Sequence, residues 1–398
     1  MTGTSTSETR QRIYLDHAAT GWPKPPEVYE AMDRFARQVG ASAGRGAYRS
    51  ASIADEIVAS CRRRLARLVN HSSPQNVAFF SNGTTALNAA VFGVVGDGDH
   101  VITTAIEHNS LLRPLHWLEK HRGIELDVVP CDESGRVDPA AVAGRLRPTT
   151  RLVAISHASN VTGAVQDVAA IGGLIRSGET LLLCDAAQTL GYLPIDMQAS
   201  GIDMLAAPGH KGACGPLGTG MLALSDKAAA RIRPTLFGGT GSISQQLDMP
   251  TGMPGMLEAG NLNVTAIAGW DAGLAWLTSQ DQSAARDDQR RTASRLRQVT
   301  AAIAGARAIT GDDLPLVSLI FDAVDVGMVA TLLDTEFGIE VRSGLHCAAL
   351  IHDFIAAEPR GTPSQGTLRI SGGHGTTLDE IDRLGEALQE IATELQLG

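Results

Sequence analysis

Two residues in the middle of the chain, Asp185 and Lys211, have the types and surroundings to do chemistry together. Asp185 closes an apolar run, Leu181-Leu182-Leu183-Cys184. A run of that kind ended by a charge suits a strand buried on both faces of a parallel sheet. Its acid would then stand at the carboxyl edge, where open α/β sheets place their ligands. Lys211 follows 26 residues later (211 − 185), with Gly209 before it and Gly212, Gly215, Gly218 and Gly220 after it. Glycines leave room for a bulky group to reach the amine. An acid that keeps a pyridine nitrogen protonated and an amine that forms a Schiff base are what pyridoxal phosphate needs.

The phosphate of such a group needs a holder of its own. Val77 to Phe80 reads as a compact strand that turns through Ser81-Asn82-Gly83-Thr84-Thr85 into a helix over Ala86 to Val95. The free N–H groups of the helix start, with the hydroxyls of Thr84 and Thr85, would cradle an anion. A simple N-cap by Thr or Ser accounts for the same residues.

The elements that must position these groups follow from pattern. Short apolar strands recur at βα-unit spacing from about 77 to 223, including Gly98 to Thr104 and Leu152 to Ser156. They predict one mixed or parallel sheet flanked by helices, an α/β fold. Residues 1 to 11 read as a polar tail, and Ile13 to Thr20 as a short strand-like run. Helices are expected from Glu27 to Val39 and from Ile53 to Val69, the latter with Arg62 to Arg64 on a solvated face. Residues 248 to 260 read as a surface loop. Ile267 to Leu277 and residues 280 to 305 read as helices, Val317 to Phe321 and Thr367 to Ser371 as strands, and Leu378 to Leu395 as an amphipathic helix. Composition changes near 260 to 280. The expected division is a large domain over 20–262 and a small one from 1–19 plus 263–398.

With 398 residues, 43 glycines and a net charge of −10, the chain is a globular enzyme in composition rather than a disordered or coiled-coil one. That charge excludes a general electrostatic grip on nucleic acid or on an anionic membrane. Five cysteines without a spaced framework suit free thiols in a reducing compartment, hence a cytoplasmic location. No Cys/His spacing suggests a metal, and no apolar run approaches a membrane span.

Nine segments, in order, carry a resemblance: YLDHAAT, NGTTALNAA, EHNSLLRPL, SHASNVTGAV, DAAQTLGYLPID, GHKGACGPLGTG, GGTGS, RSGLHCA and GTLRIS. The chain resembles the cysteine desulfurase, selenocysteine lyase-like branch of the class V aminotransferase family, whose members are fold-type-I pyridoxal phosphate enzymes. The resemblance implies a mixed, mostly parallel sheet between helices with a smaller α+β C-terminal domain, in a homodimer. It implies that Lys211 carries the cofactor and moves protons at the substrate α-carbon. Asp185 would pair with the ring nitrogen and Gln188 with the phenolic oxygen. His108 would stack on the ring, and Thr84, Thr85 and His210 would hold the phosphate. Asn160 would touch ring or substrate, and Arg369, with Arg342 nearby, would receive the substrate carboxylate.

Cys347 decides the reaction. In the look-alike enzymes its thiolate takes the sulfur of cysteine as a persulfide, releases alanine and passes the sulfur to an acceptor protein. Arg342 and His346 near it in sequence give a positive neighbourhood. Cys61, Cys131, Cys184 and Cys214 are expected to be structural, as are His17, His116, His121, His352 and His374. The chain departs from the family pattern at Pro208, where a hydroxyl residue is usual, at Asn261, at Gly372 to Gly375, and in an insert from Asp353 to Gln365. These departures motivate an alternative, a C–S lyase or related α/β-cleaving enzyme acting on an S-substituted cysteine, which would not need Cys347.

Overall fold

In the computed structural model, residues 12–240, 245–311, 314–355 and 366–397 are described. The polar tail, the end of the Gly238 to Ser242 segment and most of the 353–365 insert therefore lie outside the described residues. The first part of the chain runs β1 (Ile13–Tyr14), α1 (Pro26–Gln38), α2 (Arg49–Leu68), β2 (Val77–Phe80), α3 (Gly83–Val94), β3 (His100–Thr104), α4 (Asn109–Arg122) and β4 (Glu125–Val129). Next come α5 (Pro139–Ala143), β5 (Thr150–Ser156), α6 (Val168–Ile175), β6 (Leu181–Asp185), β7 (Met204–Pro208), β8 (Gly220–Leu224), α7 (Asp226–Ala229) and α8 (Val264–Ser279). The rest is α9 (Gln282–Ala301), β9 (Ala306–Thr310), β10 (Leu316–Phe321), α10 (Val326–Phe337), β11 (Ile339–Glu340), β12 (Arg342–Gly344), α11 (His352–Ile355), β13 (Thr367–Ser371) and α12 (Leu378–Glu394).

A seven-stranded sheet in the order β2-β8-β7-β6-β5-β3-β4 forms the centre. The pairs from β4 through β7 are parallel, whereas β8 is antiparallel to both β7 and β2. This is the mixed, mostly parallel α/β sheet that the strand spacing predicts. Successive residues of one strand feed opposite faces. Leu182 and Cys184 join one core cluster and Leu181 and Leu183 the other, and Val153 and Ile155 alternate with Leu152 and Ala154 likewise. Apolar residues at every strand position are thus required by two covered faces. Because the strands run parallel, Thr104, Ser156, Asp185 and Pro208 end them along one edge.

A second sheet, β12-β13-β10-β9, is antiparallel and packs with α9, α10 and α12. β1 crosses to pair with β11, placing Ile13 and Leu15 in the core of that smaller unit. Helix α8 falls beyond the expected boundary at 262/263, yet it packs on α1 and α2. Its Trp270 has no exposed surface and lies where a Cβ on Gly209 or Gly215 would meet the indole ring at 2.8 and 2.6 Å.

Two expectations are corrected. Arg62 is not on a solvated face: it is buried, pairs with Glu258 at 2.8 Å, and lies over the Phe79 ring at 4.6 Å. A helix of twenty residues wrapped on a sheet turns one arginine inward, and burial is tolerated because Glu258 neutralises it. The 248–260 stretch is irregular but not merely surface, since Met256 and Leu257 are buried and Glu258 meets both Arg62 and the Phe79 N–H. No helix among the described residues is long and apolar enough to cross a membrane.

Candidate active site

All the expected site residues except Thr85 and Cys347 line one cavity of about 220 Å³ at the carboxyl edge of the large sheet. β6 delivers Asp185 there because its apolar residues are consumed by the two cores, leaving the acid as the first residue past them. Asp185 is buried and accepts one hydrogen bond from the Ala187 N–H at 2.9 Å. Burial pushes its carboxyl up, against the pull of that N–H and of Lys211. Lys211 stands in the turn after β7, with its ordinary amine value lowered to about 8. Loss of hydration is the main cause; Asp185 opposes it, while Arg369 and Arg342 add to it. Gln188 donates from Nε2 to the Ala18 carbonyl at 3.1 Å, fixing its amide against the N-terminal segment.

His108 caps α4: its Nδ1 accepts from the Ser110 N–H at 3.0 Å. Burial and, after it, the nearby cations Lys211, Arg342, Arg369 and Arg113 lower it to about 4, so the ring is neutral at physiological pH. His210 is also lowered to about 4 by burial, with Lys211 and Lys24 contributing, and its Nδ1 lies 3.0 Å from the Thr20 hydroxyl.

At the start of α3 the structure separates the two threonines. Asn82, Gly83 and Thr84 face the cavity. Thr85 does not: it completes a capping box with Asn82, accepting from the Asn82 N–H and donating to its carbonyl at 2.9 Å. The hydroxyl expected at the phosphate is therefore committed to the helix end, and the capping residue is Asn82 rather than Thr or Ser. Pro208 lines the same cavity, its ring 3.0 Å from where a Cβ on Gly83 would sit. Asn261 lies with Thr85 and Leu236 in a neighbouring recess.

The small unit closes the other side. Arg369 sits on β13, an interior strand, and is almost wholly buried. Its Nη2 donates to Asp16 Oδ1 at 2.6 Å and its Nη1 to the Asn160 carbonyl at 3.1 Å, while Nε has no partner among the described residues. Arg342 is its register partner on β12. Asn160 donates from Nδ2 to the His346 carbonyl at 2.8 Å. Cys347 is exposed beyond the cavity lining, on a turn where His346 and Cys347 both have left-handed backbone, φ 51° and 59°. Arg342 Nη2 approaches its sulfur at 3.7 Å, and its carbonyl accepts from the Asn109 N–H at 2.7 Å, next to His108.

Sequence reasoning assigned no role to Asp16 or Glu107, although both stood in quoted segments, YLDHAAT and EHNSLLRPL. Neither could be singled out, because their partners Arg369 and Ser156 lie 353 and 49 residues away. Burial pushes Cys61, Cys131, Cys184 and Cys214 up, as expected of structural thiols. His374, in the altered Gly372 to Gly375 segment, donates to the Gly212 carbonyl at 3.0 Å beside Lys211 and stacks on Tyr192.

The donor set suits pyridoxal phosphate. A buried carboxylate, a fixed amide, a neutral imidazole, an amine of lowered basicity and a helix N-terminus converge on one cavity. The group lacking is a hydroxyl at Pro208.

Residues 13–384 match the model of the aminotransferase class-V family. The chain is 34% identical to a protein named "Probable cysteine desulfurase" from Methanothermobacter thermautotrophicus, covering 96% of this chain and 95% of that one. It superposes on the apo structure of a cysteine desulfurase from Thermococcus onnurineus with a TM-score of 0.88 and 26% identity, covering 96% and 95% of the two chains. An S-sulfonic acid form of an Escherichia coli cysteine desulfurase gives 0.85 and 27%, covering 96% and 94%.

Proposed function

The chain belongs to the class V aminotransferase family, and from that premise we propose that it is a pyridoxal phosphate-dependent cysteine desulfurase. It would convert L-cysteine to alanine with the sulfur retained as a persulfide on Cys347. The observation that carries this reading is the arginine at the thiol: Arg342 Nη2 stands 3.7 Å from Cys347 Sγ, on a strand that also borders the Lys211 cavity. A guanidinium there sets a positive charge and an N–H donor beside the sulfur.

Pyridoxal phosphate, when bound, supplies an aldehyde that captures the substrate amine and a ring that takes up the electrons left at the α-carbon. Asp185 would hold the ring nitrogen protonated, Gln188 would face the phenolic oxygen, and His108, Asn160 and the start of α3 would position the rest. Arg369 is kept from collapsing into the cavity by Asp16 and the Asn160 carbonyl, so its guanidinium waits for a carboxylate at little cost in side-chain entropy. Lys211, with much of its population neutral near pH 8, is suited to take the α-proton and return it to carbon. The Cys347 thiolate attacks the substrate sulfur, the carbon–sulfur bond breaks, and its electron pair ends on carbon as alanine forms. The exposed persulfide is open to an acceptor protein.

A second copy of the chain is the expected neighbour of the cavity. Leu236, which lines the recess of Thr85 and Asn261, is 63% exposed, and Leu217 and Phe237, next in sequence to Gly218 and Leu236 of that recess, are 69% and 72% exposed, apolar surface that a homodimer would cover. Five free cysteines support a reducing, cytoplasmic setting.

The test is product analysis. Wild-type protein given cysteine forms alanine and sulfide in equal amounts when a reductant is present, and Cys347→Ala does not. Equal turnover by the two proteins would overturn the persulfide route. Turnover of an S-substituted cysteine to pyruvate or a thiol, independent of Cys347, would establish the C–S lyase reading instead.

A further inference from the structure

Glu107 has no place in the chemistry above, yet it is the most deeply enclosed acid near the cavity. It has no exposed surface. Its Oε1 accepts from the Thr104 hydroxyl at 2.6 Å and the Ser156 N–H at 3.0 Å, and its Oε2 accepts from the Ser156 hydroxyl at 2.6 Å. All three donors are neutral. Thr104 ends β3 and Ser156 ends β5, and Ser156 is the register partner of Asp185 on β6. Glu107, in the loop after β3, thus lies across the end of β5 from Asp185 on β6, with Ser156 between the two carboxylates.

Tying β3 to β5 does not require a charge. A glutamine would accept from Thr104 and the Ser156 N–H, and the Ser156 hydroxyl could turn to accept from its amide. A buried carboxylate without an ionic partner is costly to keep. Here burial pushes Glu107 up to about 7, the three hydrogen bonds pull it back, and Asp185 pushes it further up. Glu107 in turn raises the Cys184 thiol beside Asp185. Around it, β6 supplies Asp185 and Cys184 and α4 supplies the neutral His108. The positive groups, Lys211, Arg342 and Arg369, lie around the cavity itself. Two buried acids that repel each other are held beside the place where one positive ring nitrogen is expected.

We propose that Glu107 is a positioning residue for the cofactor, acting through Asp185: its negative charge adds to that of Asp185 and strengthens the ring nitrogen's hold on its proton. The inference rests on the cofactor reading above. A protonated ring relieves the repulsion between the two acids, so each site steadies the charge of the other.

The test uses holoenzyme reconstituted with pyridoxal phosphate labelled with nitrogen-15 in the ring, and follows that nitrogen's chemical shift with pH. In Glu107→Gln, which keeps shape and hydrogen bonds but not charge, the ring nitrogen loses its proton about one pH unit lower than in wild type, a tenfold weaker hold. Glu107→Asp keeps the charge and recovers at least half of that displacement. If Glu107→Gln titrates with wild type, or Glu107→Asp is displaced as far as Glu107→Gln, the residue is only a strand tie and the inference fails. Should Glu107→Gln not fold, a full-unit displacement in Glu107→Asp overturns the inference and a titration near wild type supports it. Wild-type protein that binds no labelled cofactor would overturn the proposed function itself, a result distinct from variants that bind it and titrate alike.

Discussion

Lys211 and Cys347, the two candidate nucleophiles, are housed in opposite ways. Lys211 lies on a loop packed against aromatic rings and backbone on several sides: Gly209 and Gly215 against Trp270, Gly212 against Tyr192, and Gly21 against the Lys211 carbonyl. A Cβ at Gly212 would come within 2.6 Å of the Tyr192 ring, so only glycine allows the approach. Cys347 stands on an exposed turn, outside the cavity lining, on two residues of left-handed backbone. The difference fits the two tasks. An amine that must be deprotonated near neutrality gains from burial among cations. A thiol that must first reach a substrate and then deliver sulfur elsewhere needs access more than enclosure.

The comparison can be broken most directly at the lysine. Lys211→Ala is expected to lose the long-wavelength absorbance of bound cofactor and to lower cysteine turnover by about ten-thousand-fold or more. Retention of colour and rate together would remove Lys211 from the chemistry. Cys347→Ser sharpens the contrast from the other side. The cofactor band stays, while alanine formation falls by about a hundredfold or more. A matching loss of the band would mean that the exposed turn also builds the cofactor site.

A smaller effect is expected at the clamp. Arg369→Lys keeps a charge opposite Asp16 but loses the two-pronged geometry, so kcat/KM falls by about ten- to a hundredfold, mainly through KM. A loss confined to kcat would instead place Arg369 at the reacting atoms. The mildest test is pH. His17, His108, His157 and His210 are each lowered from 6.5 to about 4 by burial. Between those values the unfolded chain binds protons that the folded chain does not, so stability rises with pH and is lost as pH falls from 6.5 toward 4. Melting temperature should therefore drop across that window. Cofactor uptake by the apo-protein should instead follow Lys211, its rate rising with pH through about 8.

How much of this was legible in the sequence differs between the two regions. The Asp185 to Lys211 stretch is local: an apolar run, a charge at its end and glycines around a lysine reveal strand, edge and loop within forty residues. The phosphate cradle was legible in outline only. Whether Thr84 or Thr85 faces the cavity depends on which hydroxyl the helix end uses for its capping box, and the spacing is silent on that. The burial of Arg62 has no local signal, because its partner Glu258 is 196 residues away. The boundary near 262 rests on composition, which does not show that α8, just past it, packs on α1 and α2.

The sequence by itself determined the sheet, the order of its strands' chemistry, and the acid and amine that the sheet's edge presents, because strand periodicity and turn residues act between near neighbours. Only the tertiary structure decided that Arg369 is braced by Asp16, that Cys347 stands outside the cavity beside Arg342, and that Glu107 lies one serine from Asp185. Those facts arise where strands from distant parts of the chain converge, and there burial and charge depend on neighbours that linear spacing does not encode.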